Sequence, residues 1–248
     1  MTSTRAKHLP ALLWPIFLLG HWLAIGLLAW HLLAQVNFVY PTFYQWLGIE
    51  SHIAEFAPQN RHRSHFHHTS PNDHYALFAG INQAIHSDPD QLARLAYIDN
   101  NGQHHLLLHD DEVLHLQDVA RLVKGVYLLG LLAFGAAVLS GLLLWKLRFR
   151  FPSARRIAAG TLSAIALTVI GVWLLGPKRV FYMLHEWIFP PEHPWFFYYQ
   201  DSLMTTLMKA PDLFGAIAIA LLLVWLAFWG ASLWIIVRLW LRRVGPIG

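Results

Sequence analysis

The chain has 248 residues, 56% of them hydrophobic and 13% charged, with a formal charge of +4 and a mean hydropathy of +0.41. Four long apolar runs hold most of that hydrophobicity, which excludes a soluble domain with one large core and predicts a polytopic membrane protein. There is no cysteine, which excludes disulfides, thiol nucleophiles and cysteine-ligated metal sites.

Residues 1–9 carry Arg5 and Lys7 ahead of an apolar run at 10–36. This pattern also resembles a signal peptide. The run is too long for a usual h-region and lacks a small-x-small cleavage site, so it reads as an uncleaved first span. Residues 37–122 are polar by comparison. Within them, 41–57 reads as short helices with the aromatic anchors Phe43, Tyr44 and Trp46. RHRSHFHHTSPND at 61–73 is a loop by composition, and 74–86 has helical periodicity. Ser87 and Asp88 before Pro89 cap a short helix with Pro89 at its first position. Residues 95–108 read as a β-hairpin turned at Asn101-Gly102. The expected outer region is thus a small α+β domain. Asp110, Asp111 and Glu112 then suit the first turn of a helix that continues into the next span.

Spans two, three and four are expected at 123–146, 157–176 and 213–237, with loops at 147–156 and 177–212 and a tail at 238–248. Each of these cores lacks formal charge over roughly 20 residues, enough to cross about 30 Å of hydrocarbon. Charge placement sets the orientation. Arg5 and Lys7, the basic group Lys146 to Arg156, and Arg238, Arg242 and Arg243 fall in segments with no acidic residue. All 14 Asp and Glu fall in 37–122 and 177–212. The positive-inside rule therefore puts both termini in the cytoplasm and the two acidic segments outside. It also argues that the basic balance serves topology rather than nucleic acid. The loop 177–212 is crowded with aromatics, which favour the membrane boundary, and Pro190, Pro191 and Pro194 prevent one continuous helix there.

The chemistry-bearing stretch is EVLHLQDVARL, 112–122, where the polar region turns into span two. On a helix His115 and Asp118 share one face. A carboxylate beside an imidazole fixes its tautomer and stabilises its imidazolium. The bland alternative is a solvated helix pair. The second loop brings His185 in an aromatic setting and Asp201, which also reads as the cap of a helix at 202–209.

EVLHLQDVARL, FYMLHEWIFPPEHPWFF and QDSLMTTLMKAPDLF together resemble the lipoprotein intramolecular transacylases, an integral membrane family. That family has a helix of the type E-x-x-H-M-x-D-V-K before the second span. A second His in an aromatic context follows, then a Trp, an Asp ahead of Leu or Ile, a Pro and a Phe. The matching positions are Glu112, His115, Asp118, Val119, His185, Trp195, Asp201, Leu203, Pro211 and Phe214. Leu116 stands where the family often has Met, and Arg121 where it often has Lys. The resemblance implies four spans in the bacterial cytoplasmic membrane and a site at the outer leaflet. It also implies an O-to-N acyl migration, moving the sn-2 acyl chain of a diacylglyceryl lipoprotein to its N-terminal cysteine amine. His115 would be the general base and acid, oriented by Asp118, and His185 would aid the oxyanion or position the ester. Arg121, Trp195 and Asp201 would contact substrate. No cofactor or metal is implied, and the chain is expected to be a monomer in contact with membrane lipid.

Two readings compete. His62, His65, His67 and His68, with His104, His105 and His109, could serve metal binding or sensing, since imidazoles suit zinc, copper or nickel; their spacing fits no defined site. A non-enzymatic membrane assembly factor is the other. Haem is disfavoured, because His21 and His31 of span one have no histidine facing them in another span core. A carrier is disfavoured because the cores of spans two to four hold no ionisable group.

Overall fold

The computed structural model describes the backbone of residues 3–244 and the side chains of 9–243. The cytoplasmic placement expected of the extreme ends, 1–2 and 245–248, falls outside the described residues. The chain is mostly helical. In order it forms α1 (Ser3–Gln35), α2 (Tyr40–Trp46), α3 (Ile49–Phe56), α4 (Pro71–His86), β1 (Ala96–Ile98), β2 (His104–Leu106), α5 (Asp110–Lys146), α6 (Ala154–Leu175), α7 (Pro177–Ile188), α8 (Leu203–Met208) and α9 (Asp212–Val244). Among the described residues, four stretches are long and apolar enough to cross a membrane: Leu9–Gln35, Asp110–Lys146, Ala154–Leu175 and Asp212–Arg243. Leu131, Leu139, Leu167 and Trp173 are exposed on them, as lipid-facing side chains must be.

The chain divides into two units. One holds residues 1–31, 126–176 and 221–248. Its core is aromatic: Trp14 lies against Phe151 at 4.9 Å and Trp240 at 5.2 Å, with Phe17, Leu144, Trp229 and Leu233 around them. Gly20 of α1 faces α5 so closely that a Cβ would lie 2.6 Å from the Ala133 carbonyl, the close approach that small residues permit between membrane helices. His21 and His31 bond hydroxyls, Ser232 at 3.0 Å and Tyr127 at 2.9 Å.

The other unit holds residues 32–125 and 177–220. The helices and the hairpin expected between spans one and two are present, with Ala96 opposite Leu106 and Ile98 opposite His104. Gly102 takes the left-handed conformation in the turn, φ +79°. The segment does not stand alone as a domain, however, because 177–220 completes the unit. Tyr40 stacks on Phe78 at 4.0 Å and its hydroxyl donates to the Leu207 carbonyl of α8 at 2.7 Å. A segment as small as 37–122 buries a modest share of its surface and is marginal by itself, and the second segment adds to its core. Helix α4 begins three residues earlier than periodicity alone places it. Ser70 and Asp73 form a capping box and Pro71 sits in the first turn, so local hydrogen bonding extends the helix into the polar stretch.

Candidate active site

The start of α5 is held by its own sequence. Asp110, Asp111 and Glu112 fill the first turn, where acidic groups complement the helix dipole. Glu112, fully buried, reaches back to accept the His109 backbone N–H at 2.6 Å. It also accepts a short hydrogen bond from the Ser202 hydroxyl, which caps α8 by accepting from Thr205 N at 3.0 Å. One buried carboxylate thereby ties α5 to α8 and fixes where the next turns of α5 point. The cap of α8 is Ser202; Asp201, one residue earlier, is not.

The next turn presents His115, only 7% exposed. Its ring lies 6.0 Å from that of His185 on α7, tilted by 33°. Phe189 packs against both, at 4.9 Å from His115 and 5.2 Å from His185. Phe197 stands 6.2 Å from His115 and Trp195 5.1 Å from His185. Two imidazoles thus share an aromatic enclosure within one unit.

Their hydrogen bonding differs. His185 Nδ1 lies 2.8 Å from the Phe181 carbonyl. A carbonyl only accepts, so Nδ1 carries the hydrogen and the neutral ring presents the lone pair of Nε2. Burial lowers the His185 pKa from the ordinary 6.5, with the carbonyl bond opposing. The ring is therefore neutral at neutral pH and free to take a proton. His115 Nδ1 is buried without a hydrogen-bond partner.

Asp118 departs from expectation. Its carboxylate makes no hydrogen bond to His115. One oxygen takes a short contact from Arg121, one turn on, and the other takes His193 Nδ1 at 2.6 Å. In three dimensions a three-residue spacing brings the two side chains to one face without aligning a donor on an acceptor, and the tighter partner arrives from elsewhere. No spacing signal points to His193, because 75 residues separate it from Asp118. Arg121 is exposed beside that pair. Trp195 forms part of the wall at His185. Asp201 pairs with Arg61 at 3.2 Å and lies 3.6 Å from His62.

The histidine-rich stretch serves the core. Phe66 is wholly buried, against His74 at 5.2 Å and Tyr97 at 5.0 Å. His74 has both nitrogens bonded: Tyr44 OH donates to Nδ1 at 2.8 Å, and Nε2–H donates to Thr69 Oγ1 at 2.8 Å. That hydroxyl passes its own hydrogen to the Phe66 carbonyl at 2.6 Å, which fixes every direction in the chain. Burial drives the His74 pKa down to about 4. His67 and His68 are exposed. Among the described residues no three His, Asp or Glu side chains converge as a metal site would require.

Four helices of membrane-spanning length and two apposed imidazoles define an integral membrane protein with a candidate acid–base site. The model of one family, the lipoprotein intramolecular transacylase Lit, matches residues 81–210, just over half of the chain and including both rings. The chain belongs to that family, a family of membrane-integral acyltransferases. The fold is similar to that of the membrane integral lipoprotein intramolecular transacylase Lit from Bacillus cereus, solved in meso as a histidine-to-arginine mutant. The TM-score is 0.66 at 15% identity, over 96% of this chain and 94% of that one. No curated protein matches the chain.

Proposed function

We propose that the protein moves the sn-2 acyl chain of an S-diacylglyceryl lipoprotein to the α-amine of the same N-terminal cysteine. The observation that carries this reading is the 6.0 Å pairing of His115 and His185 inside the segment matched by the family. The neutral amine attacks the ester carbonyl, and a C–N bond forms. His185 Nε2, the nitrogen with the free lone pair, takes the proton that leaves the amine. His115 donates from its Nε2–H to the oxyanion, an assignment that leaves its partnerless Nδ1 as a lone pair rather than a stranded donor. As the C–O bond breaks, His185 returns the proton to the sn-2 alkoxide, so atoms and charge balance. This reading gives the base role to His185, where the sequence reading gives it to His115; the hydrogen bond at Phe181 supports that choice. Amine and ester belong to one molecule, so holding them together supplies much of the rate.

The same reading puts both termini in the cytoplasm, residues 37–122 and 177–212 outside, and the histidines at outer-leaflet headgroup level. The protein acts as a monomer and without a cofactor. The test is incubation of purified protein with a synthetic diacylglyceryl lipopeptide bearing a free α-amine, followed by fragmentation mass spectrometry. The expected product is N-acylated with a free sn-2 hydroxyl, and it disappears in His115→Ala and His185→Ala. A wild-type protein that leaves the lipopeptide unchanged would sink the reading.

A further inference from the structure

The segment 189–199 forms much of the wall around the two rings, through Phe189, Trp195 and Phe197. Its backbone holds itself poorly. Pro190, Pro191 and Pro194 lack N–H donors, and the backbone bond within 190–197 is His193 N to the Pro190 carbonyl at 3.1 Å. The wall is therefore shaped by side chains. The polar tie from its middle is His193 Nδ1 to Asp118 at 2.6 Å, and it ends on α5 one turn beyond His115. Asp118 is 4% exposed at its side chain and His193 28%. The bond is thus largely sheltered from water, which makes it stronger than a surface pair. Arg121 holds the other carboxylate oxygen, so Asp118 is fixed at both oxygens.

We propose that His193 is a positioning residue: it fastens the proline-rich wall to α5 through Asp118, and so keeps Phe189, Trp195 and Phe197 pressed on the histidine pair. Asp118 is then the anchor of the wall rather than the orienting partner of His115. The inference deepens the transacylase reading and rests on it for its kinetic consequence. With the tie cut, the wall spreads, and displacement of about 1 Å at the reacting groups lowers the rate by about 10²-fold.

The test uses full-length protein, three single substitutions and one double variant. His193→Ala removes the donor. His193→Asn keeps one, because the Asn amide nitrogen sits close to where Nδ1 does. Asp118→Asn removes the ionised acceptor. In the lipopeptide assay kcat should fall about 10²-fold for His193→Ala. His193→Asn should recover most of that loss, and His193→Ala combined with Asp118→Asn should be no worse than His193→Ala alone. Hydrogen–deuterium exchange gives a readout that does not depend on the reaction: amides of 192–199 exchange faster in His193→Ala and as in wild type in His193→Asn. Wild-type activity and exchange in His193→Ala overturn the proposal. So does failure of His193→Asn to rescue, which would make the imidazole itself the working group. A wild-type protein with no transfer, yet with faster exchange in His193→Ala, leaves the tie standing and overturns the transacylase reading instead.

Discussion

His74 and His115 are both buried histidines of the same unit, and they are built in opposite ways. His74 has a donor on one nitrogen and an acceptor on the other, in a chain that ends on a carbonyl. His115 keeps a buried nitrogen without a partner and faces a second imidazole across an aromatic enclosure. Leaving a buried polar atom unsatisfied costs about 1–3 kcal/mol; beside a second titratable ring and within the family-matched segment, that cost favours the proposed chemical role of His115 over a packing role. His52 and His109 also have an unpartnered nitrogen, but the ring neighbours of His52 are Phe56 and Tyr199, and the imidazole facing His109 at 4.9 Å is the exposed His62, outside the segment the family matches.

The contrast breaks most sharply under mutation. His115→Ala and His185→Ala should each lower transacylation by about 10²–10⁴-fold, the usual worth of a general acid or base, with little change in thermal midpoint. His74→Ala should do the reverse. It strands the Tyr44 hydroxyl and should lower stability by about 1–3 kcal/mol, read by thermal unfolding in detergent, while the folded fraction keeps its turnover. Loss of turnover in folded His74→Ala would end the distinction.

Acidity sharpens it further. Below about pH 8 the substrate amine is protonated, so the rate should fall roughly tenfold per unit. His185 has its pKa below 6.5, and protonating it removes the base, so the fall should steepen only under pH 6.5. Steepening that begins above pH 6.5 argues against His185 as the titrating base. His74 acts on stability instead. Its folded pKa is about 4 against an ordinary 6.5. Between those values the unfolded chain binds the extra proton, so stability drops as pH falls through that window. His74→Gln should remove part of that slope without moving the kinetic profile. The smallest effect belongs to the exposed pair: His67→Ala with His68→Ala should change stability by no more than about 0.5 kcal/mol and leave turnover alone. Loss of activity there would reopen a role for the histidine-rich stretch.

Four membrane-length helices, the short helices of 41–57 and the hairpin turned at Gly102 were legible in the sequence, because hydropathy length, helix caps and turn chemistry act over a few residues. So was the candidacy of His115 and His185, through their family-like settings. Three things were not. Nothing local tells that the segment after span three completes the unit containing 37–122, since closing that core needs Tyr40 to meet α8 across 167 residues. No spacing rule links His193 to Asp118, or sends Asp201 to Arg61. And the tautomer of His185 depends on the Phe181 carbonyl being left within reach of the ring. Hydrophobic length and backbone preference are properties of a stretch of chain; hydrogen-bond partners are chosen by whatever donors and acceptors folding brings together, and only the tertiary structure decides those.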